Sequence, residues 1–136
     1  MSEKKATRYM HDLGNALERF REVMDISIDE NDIALDAAIQ RFEFSFELFW
    51  KTLKVLLLEV GGIQVGSPKQ VLKEAYSQGW INEEQRWLDL LDARNLTSHV
   101  YNEQKALDIY QIIQENASLM HSDFSLMKER FSEYLK

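Results

Sequence analysis

The chain has 136 residues, with no cysteine, one proline and five glycines, and 45% of it is hydrophobic. That length supports one domain, residues 1–136, with its own core, while the lack of cysteine excludes disulfides, zinc–cysteine sites, iron–sulfur clusters and thiol nucleophiles. Lys and Arg number 16 against 23 Asp and Glu, a formal charge of −7, which argues against non-specific coating of nucleic acid but leaves room for a local site for one phosphate.

No apolar run approaches the roughly 20 residues that span a bilayer. Met1-Ser2-Glu3-Lys4-Lys5 is not followed by the apolar stretch of a secretory signal. A cytoplasmic protein without membrane contact is expected.

The first segment covers residues 4–25. Ala6, Met10, Leu13, Leu17, Phe20 and Met24 recur every three or four residues, which is one stripe on a helix. Gly14 interrupts the pattern at a cost of about 1 kcal/mol relative to Ala. A second helix is expected to start at Asn31 or Asp32, both good caps, and to reach Val60. Leu35, Ile39, Phe42, Phe46, Phe49, Leu53, Leu56 and Val60 form one stripe; Phe44, Leu48, Val55 and Leu58 form another, with Trp50 and Leu57 between. Only a narrow strip from Asp36 to Lys54, containing Glu43 and Glu47, is polar. A helix this apolar is either central to the fold or half of a subunit interface. Gly61-Gly62 stops it.

Ser67-Pro68-Lys69-Gln70 is a helix start: Ser67 caps, Pro68 takes the first position, and Gln70 closes a capping box. Val71, Leu72, Ala75 and Tyr76 are expected inside, with Gly79 just past the end. Asn82 is expected to cap a fourth helix carrying Trp87, Leu88 and Leu91, ending somewhere in residues 94–101. Asn102 can cap a fifth, where Ala106, Ile109, Ile113, Ala117, Met120, Phe124, Met127 and Phe131 keep the period. A break near His121-Ser122-Asp123 is possible. No strand pattern, internal repeat or linker is present. The fold class is therefore all-α: an antiparallel, up-and-down bundle of about five helices around a four-helix core.

Little of this carries chemistry. His11, His99 and His121 are too scattered for a metal site, and Glu43 with Glu47 reads as a solvated strip. The glycine stretch at 61–66 lacks the Lys-Ser/Thr of a phosphate loop. No metal or cofactor is expected. The aromatic run around Phe42–Trp50 reads as core and interface, with base stacking by Phe44 or Trp50 as the alternative.

The segment from Arg94 to Tyr101 differs, gathering Arg, Asn, Thr, Ser, His and Tyr at a helix end. On an unbroken helix Arg94 and His99 point about 140° apart. They meet only if the helix breaks between them or if a second subunit supplies one of them. On an extended chain His99 and Tyr101 project to the same side. A plain helix end, with Thr97 and His99 satisfying loose carbonyls, is the other account.

Arg94-x4-His99-x-Tyr101 resembles the R-x4-H-x-Y motif of HEPN-domain proteins. The segment Gln40–Lys54, Ser67-Pro68 with Ala75, and Arg94–His99 together resemble the small HEPN partner of minimal nucleotidyltransferases, also called the nucleotidyltransferase substrate-binding protein family. The likeness spans about residues 8–120. It implies a helical bundle, commonly a homodimer in which two R-x4-H elements share a cleft. It also implies a toxin–antitoxin pair: a metal-independent ribonuclease silenced when the partner nucleotidyltransferase transfers AMP to Tyr101. On that basis Arg94 and His99 are the catalytic candidates, and Asn95 and Ser98 orient a phosphate. The alternative is a non-catalytic subunit that binds a nucleotide or other substrate for the nucleotidyltransferase. A purely structural helical dimer is a third possibility.

Overall fold

The computed structural model describes residues 4–136. Its helices are α1 (Lys5–Met24), α2 (Ala34–Glu59), α3 (Pro68–Ser77), α4 (Glu84–Leu96) and α5 (Glu103–Arg130), and a 3-10 turn over Thr97–His99 follows α4 directly. Among the described residues there is no strand, and no helix is long and apolar enough to cross a membrane.

Side-chain contacts give the directions. Arg41 Nη1 donates to the Arg19 carbonyl at 2.7 Å and Ser45 Oγ to the Ala16 carbonyl at 3.2 Å. The numbers fall on α1 as they rise on α2, so the pair is antiparallel. Arg86 Nε reaches Asn116 Oδ1 at 2.8 Å while Asn82 reaches Asp123, which makes α4 and α5 antiparallel as well. The four long elements thus alternate in direction, with α3 packed in the connection between α2 and α4. At Gly14 the approach of α5 is close: a Cβ there would stand 3.2 Å from Phe124 Cζ.

α2 is the central helix, in contact with all four others. Phe42, Phe46, Phe49, Leu53 and Leu56 are fully buried, each such side chain contributing about 1.5–3 kcal/mol relative to exposure. Trp87 of α4 is also fully buried, its ring 4.6 Å from that of Phe49. The second stripe of α2 is exposed at its ends, Phe44 by 61% and Leu58 by 54%, while Leu48 and Val55 between them are partly buried against the core.

Several expected ends hold. The Ser67–Gln70 capping box is complete, with Pro68 at the first position. Asn102 Oδ1 accepts from Lys105 N–H at 2.9 Å. Gly62, at φ +64°, reverses the chain after α2, and Ile63 N–H turns back to the Leu57 carbonyl at 2.9 Å.

Four expectations need correction. Asn31 Oδ1 accepts from Ile33 N–H at 3.0 Å, closing a local turn rather than capping, so α2 starts at Ala34. Asn82 does not cap α4; its backbone and side-chain N–H groups both donate to Asp123, at 3.0 and 2.7 Å. Tyr76 lies on the surface, 46% exposed. α5 runs unbroken through His121-Ser122-Asp123, because Asp123 turns inward to serve α4 and Ser122 donates to the Leu119 carbonyl within the helix.

Candidate functional site

The last turn of α4 is closed by hydroxyls: Thr97 Oγ1 donates to the Arg94 carbonyl at 2.6 Å and Ser98 Oγ to the Asn95 carbonyl at 3.2 Å. These tie down carbonyls that a helix end leaves open. The helix tightens into the 3-10 turn and then opens at Val100, whose φ of −86° and ψ of 99° are extended. The chain thus tightens but stays helical from Arg94 through His99 and opens only after His99, so the break that would let the two side chains meet does not lie between them.

The turn does not bring the two side chains together within one chain. Arg94 reaches α2, where its Nε lies 2.7 Å from Glu47 Oε1, each side chain 27% exposed. The N–H is not aligned with that oxygen, so the contact is an ion pair that leaves the buried Nε without a hydrogen-bond acceptor. The terminal nitrogens of Arg94 make no hydrogen bond among the described residues. Glu47 is itself held by its other oxygen, which accepts from Trp50 Nε1 at 3.1 Å and lies 3.7 Å from Lys51 Nζ.

His99 instead shares a hydrogen bond with Tyr101, Nδ1 to hydroxyl, at 3.2 Å. Both are exposed, Tyr101 by 79%. They border a cleft of about 170 Å³ against α5, with Ile109, Ile112 and Lys105 on its far side. Asn95 and Ser98 are exposed beside this turn. A larger groove of about 940 Å³ runs between α1 and α2, past Arg19, Arg41 and Phe44. It shares Glu47 with the Arg94 pair but holds none of the motif side chains. Among the described residues no three of His, Asp and Glu gather closely enough to hold a metal ion.

Two polar residues escape a reading by sequence pattern. Glu47 has the spacing of a solvated strip, and nothing in that spacing says that α4 packs beside it. Asp123 has the residue type of a helix start. Its position three after Met120 and four before Met127 places it on the buried stripe, and that signal is present in the sequence.

The profile of a family described as nucleotidyltransferase substrate binding protein like matches residues 8–128. The chain belongs to the nucleotidyltransferase substrate-binding protein family. It is 35% identical over 103 residues to a Haemophilus influenzae protein described as a probable ribonuclease HepT, covering 73% of this chain and 69% of that one. A crystal structure of a Thermus thermophilus protein superposes with a TM-score of 0.78 and 36% identity, over 85% of this chain and 98% of that one. The family match takes in all the segments that suggested it: Gln40–Lys54, Ser67-Pro68 with Ala75, and the turn from Arg94 to Tyr101. In this member of the nucleotidyltransferase substrate-binding family, the motif arginine is tied to the helix core and the motif histidine and tyrosine stand out from it.

Proposed function

We propose that this chain is a single-domain HEPN-type toxin of the cytoplasm, a ribonuclease that needs no metal and works as a homodimer. The observation that carries the proposal is the exposed His99–Tyr101 pair at 3.2 Å, at the end of the 3-10 turn that continues the helix of Arg94. The likeness to a probable ribonuclease supports it.

RNA cleavage of this kind has a balanced proton path. His99 in one subunit takes the proton of the 2′-hydroxyl, and the 2′-oxygen attacks phosphorus. The bond to the 5′-oxygen breaks, and the imidazolium of the second subunit's His99 protonates that oxygen. A 2′,3′-cyclic phosphate and a 5′-hydroxyl remain. An imidazole, with an ordinary pKa of about 6.5, suits both halves at neutral pH. The terminal nitrogens of Arg94 meet the phosphate oxygens as charge builds on them, and Asn95 and Ser98 orient that phosphate. The second subunit sits on the outward stripe of α2. A helix turns about 100° per residue, so Phe44, Leu48, Val55 and Leu58 share one face, and Glu47 borders it.

A partner nucleotidyltransferase acts as the antitoxin. The Tyr101 oxygen attacks the α-phosphorus of ATP, pyrophosphate leaves, and the attached AMP puts negative charge and bulk beside His99. The family description favours a second reading, a non-catalytic subunit that binds a nucleotide for that enzyme.

The test is incubation of the purified full chain with total RNA in EDTA, beside His99→Ala. Cleavage by the parent and none by the variant, with unchanged helical circular dichroism, is the expected result. Equal cleavage by both rejects the assignment of His99. An inert parent that still binds nucleotide supports the second reading.

A further inference from the structure

We propose that Glu47 is the positioning residue for Arg94, an ion pair at Nε that holds the guanidinium so that its terminal nitrogens are presented to a phosphate. This deepens the ribonuclease reading and rests on it for the identity of the phosphate.

Three observations converge. The carboxylate meets Arg94 at Nε, 2.7 Å away. The terminal nitrogens make no hydrogen bond among the described residues and are not sealed in the core as Nε is. Glu47 cannot easily swing aside, because Trp50 and Lys51 hold its second oxygen from one turn further along α2. The spacing between the two helices is fixed by the rings beneath, with Trp87 against Phe49 at 4.6 Å and Phe46 at 6.3 Å. The pair therefore sits on packed helices rather than on the loop that carries His99.

The chemistry follows from the shape of the group. Guanidinium is a planar fork whose two edges can each take an oxyanion. A carboxylate at the Nε side leaves the outer edge available for bidentate contact with phosphate oxygens. It also confines a long side chain that would otherwise lose rotamer freedom on binding. The opposite role, in which Glu47 masks Arg94 from substrate, would need the carboxylate to hydrogen-bond the terminal nitrogens, and no such bond is formed.

Glu47→Gln keeps the shape and removes the charge. With a mixed-sequence fluorophore–quencher RNA, the variant should lose about 10- to 100-fold in kcat, as expected for a reacting group displaced by about 1 Å, with KM nearly unchanged. An unaltered kcat, or a faster one, overturns the proposal. The second measurement needs no turnover. The Arg94 Nε–H, buried beside the Glu47 carboxylate, should give a distinct NMR signal in the parent, assigned by its loss in Arg94→Lys, and that signal should shift when the charge is removed in Glu47→Gln. An unshifted Arg94 signal in that variant rejects the positioning role whatever the RNA assay gives. A parent that cleaves no RNA but shows the NMR change retains the role and removes only the ribonuclease reading.

Discussion

Asp123 of α5 accepts the indole N–H of Trp87 of α4 at 2.8 Å inside the core. The same carboxylate takes both N–H groups of Asn82, so one buried acid fixes the start of α4 and its central aromatic ring. Asp123 is 1% exposed and Trp87 fully buried.

Asp123→Ala should be among the most damaging single changes in the chain. It strips acceptors from Trp87 and Asn82, and each buried donor left unpaired costs about 1–3 kcal/mol. The expected loss is roughly 2–5 kcal/mol, read from the shift of the urea midpoint. Asp123→Asn keeps one acceptor and should fall between the two. A midpoint within error of the parent for the alanine variant would mean that these contacts do not hold α4.

His121 should make stability depend on pH. It is half-buried on α5, stacked on Phe20 of α1 at 6.0 Å. Burial, with the neighbouring Arg21 charge, lowers its pKa below 6.5, and Glu18 opposes the shift. The unfolded chain therefore binds the proton first as pH falls. The contribution is complete above about pH 6.5 and fades below it until the folded form also protonates. Thermal midpoints measured across that range should fall less steeply for His121→Phe than for the parent. Parallel curves would show that His121 titrates alike in both states.

The helices are legible because their signals are local. Ser67, Pro68 and Gln70 form a cap from four neighbouring residues, and the α2 stripe has one period throughout. What cannot be read depends on residues far apart in the chain. Asn82 has the right side chain for a cap but finds a better partner 41 positions away in Asp123. Arg94 and His99 are expected to face one phosphate; the chain stays helical through His99, and Arg94 turns to Glu47, because α2 lies against that side of α4 and His99 is carried past it by the 3-10 turn. Spacing supplies the motif residues but not the surface that each one meets.

The outward stripe of α2 should be a dimer contact. Phe44 and Leu58 are more than half exposed on the helix that carries most of the core, and apolar residues of this size gathered on one face mark an interaction surface. Phe44→Glu places a charge there. Light scattering after gel filtration should find the parent dimeric and the variant monomeric at micromolar concentration, an increase of about 100-fold or more in Kd. RNA cleavage should fall with the dimer, since each subunit supplies one His99. A variant that stays dimeric at full activity would move the interface elsewhere.

Tyr101→Phe separates the two roles placed on the motif. The side chain is 79% exposed and its hydroxyl touches only His99 Nδ1, at 3.2 Å, so its loss should leave folding unchanged within about 0.5 kcal/mol, as for surface changes generally. The imidazole keeps both nitrogens, and cleavage should persist within a few-fold. Transfer of AMP should stop, because no nucleophilic oxygen remains at that position. After incubation with the partner nucleotidyltransferase and ATP, intact-mass spectrometry should show added AMP on the parent and none on the variant, and the variant should keep cutting RNA in the partner's presence. Modification that persists on Tyr101→Phe would assign the acceptor to another residue, and the charge placed beside His99 would no longer explain silencing.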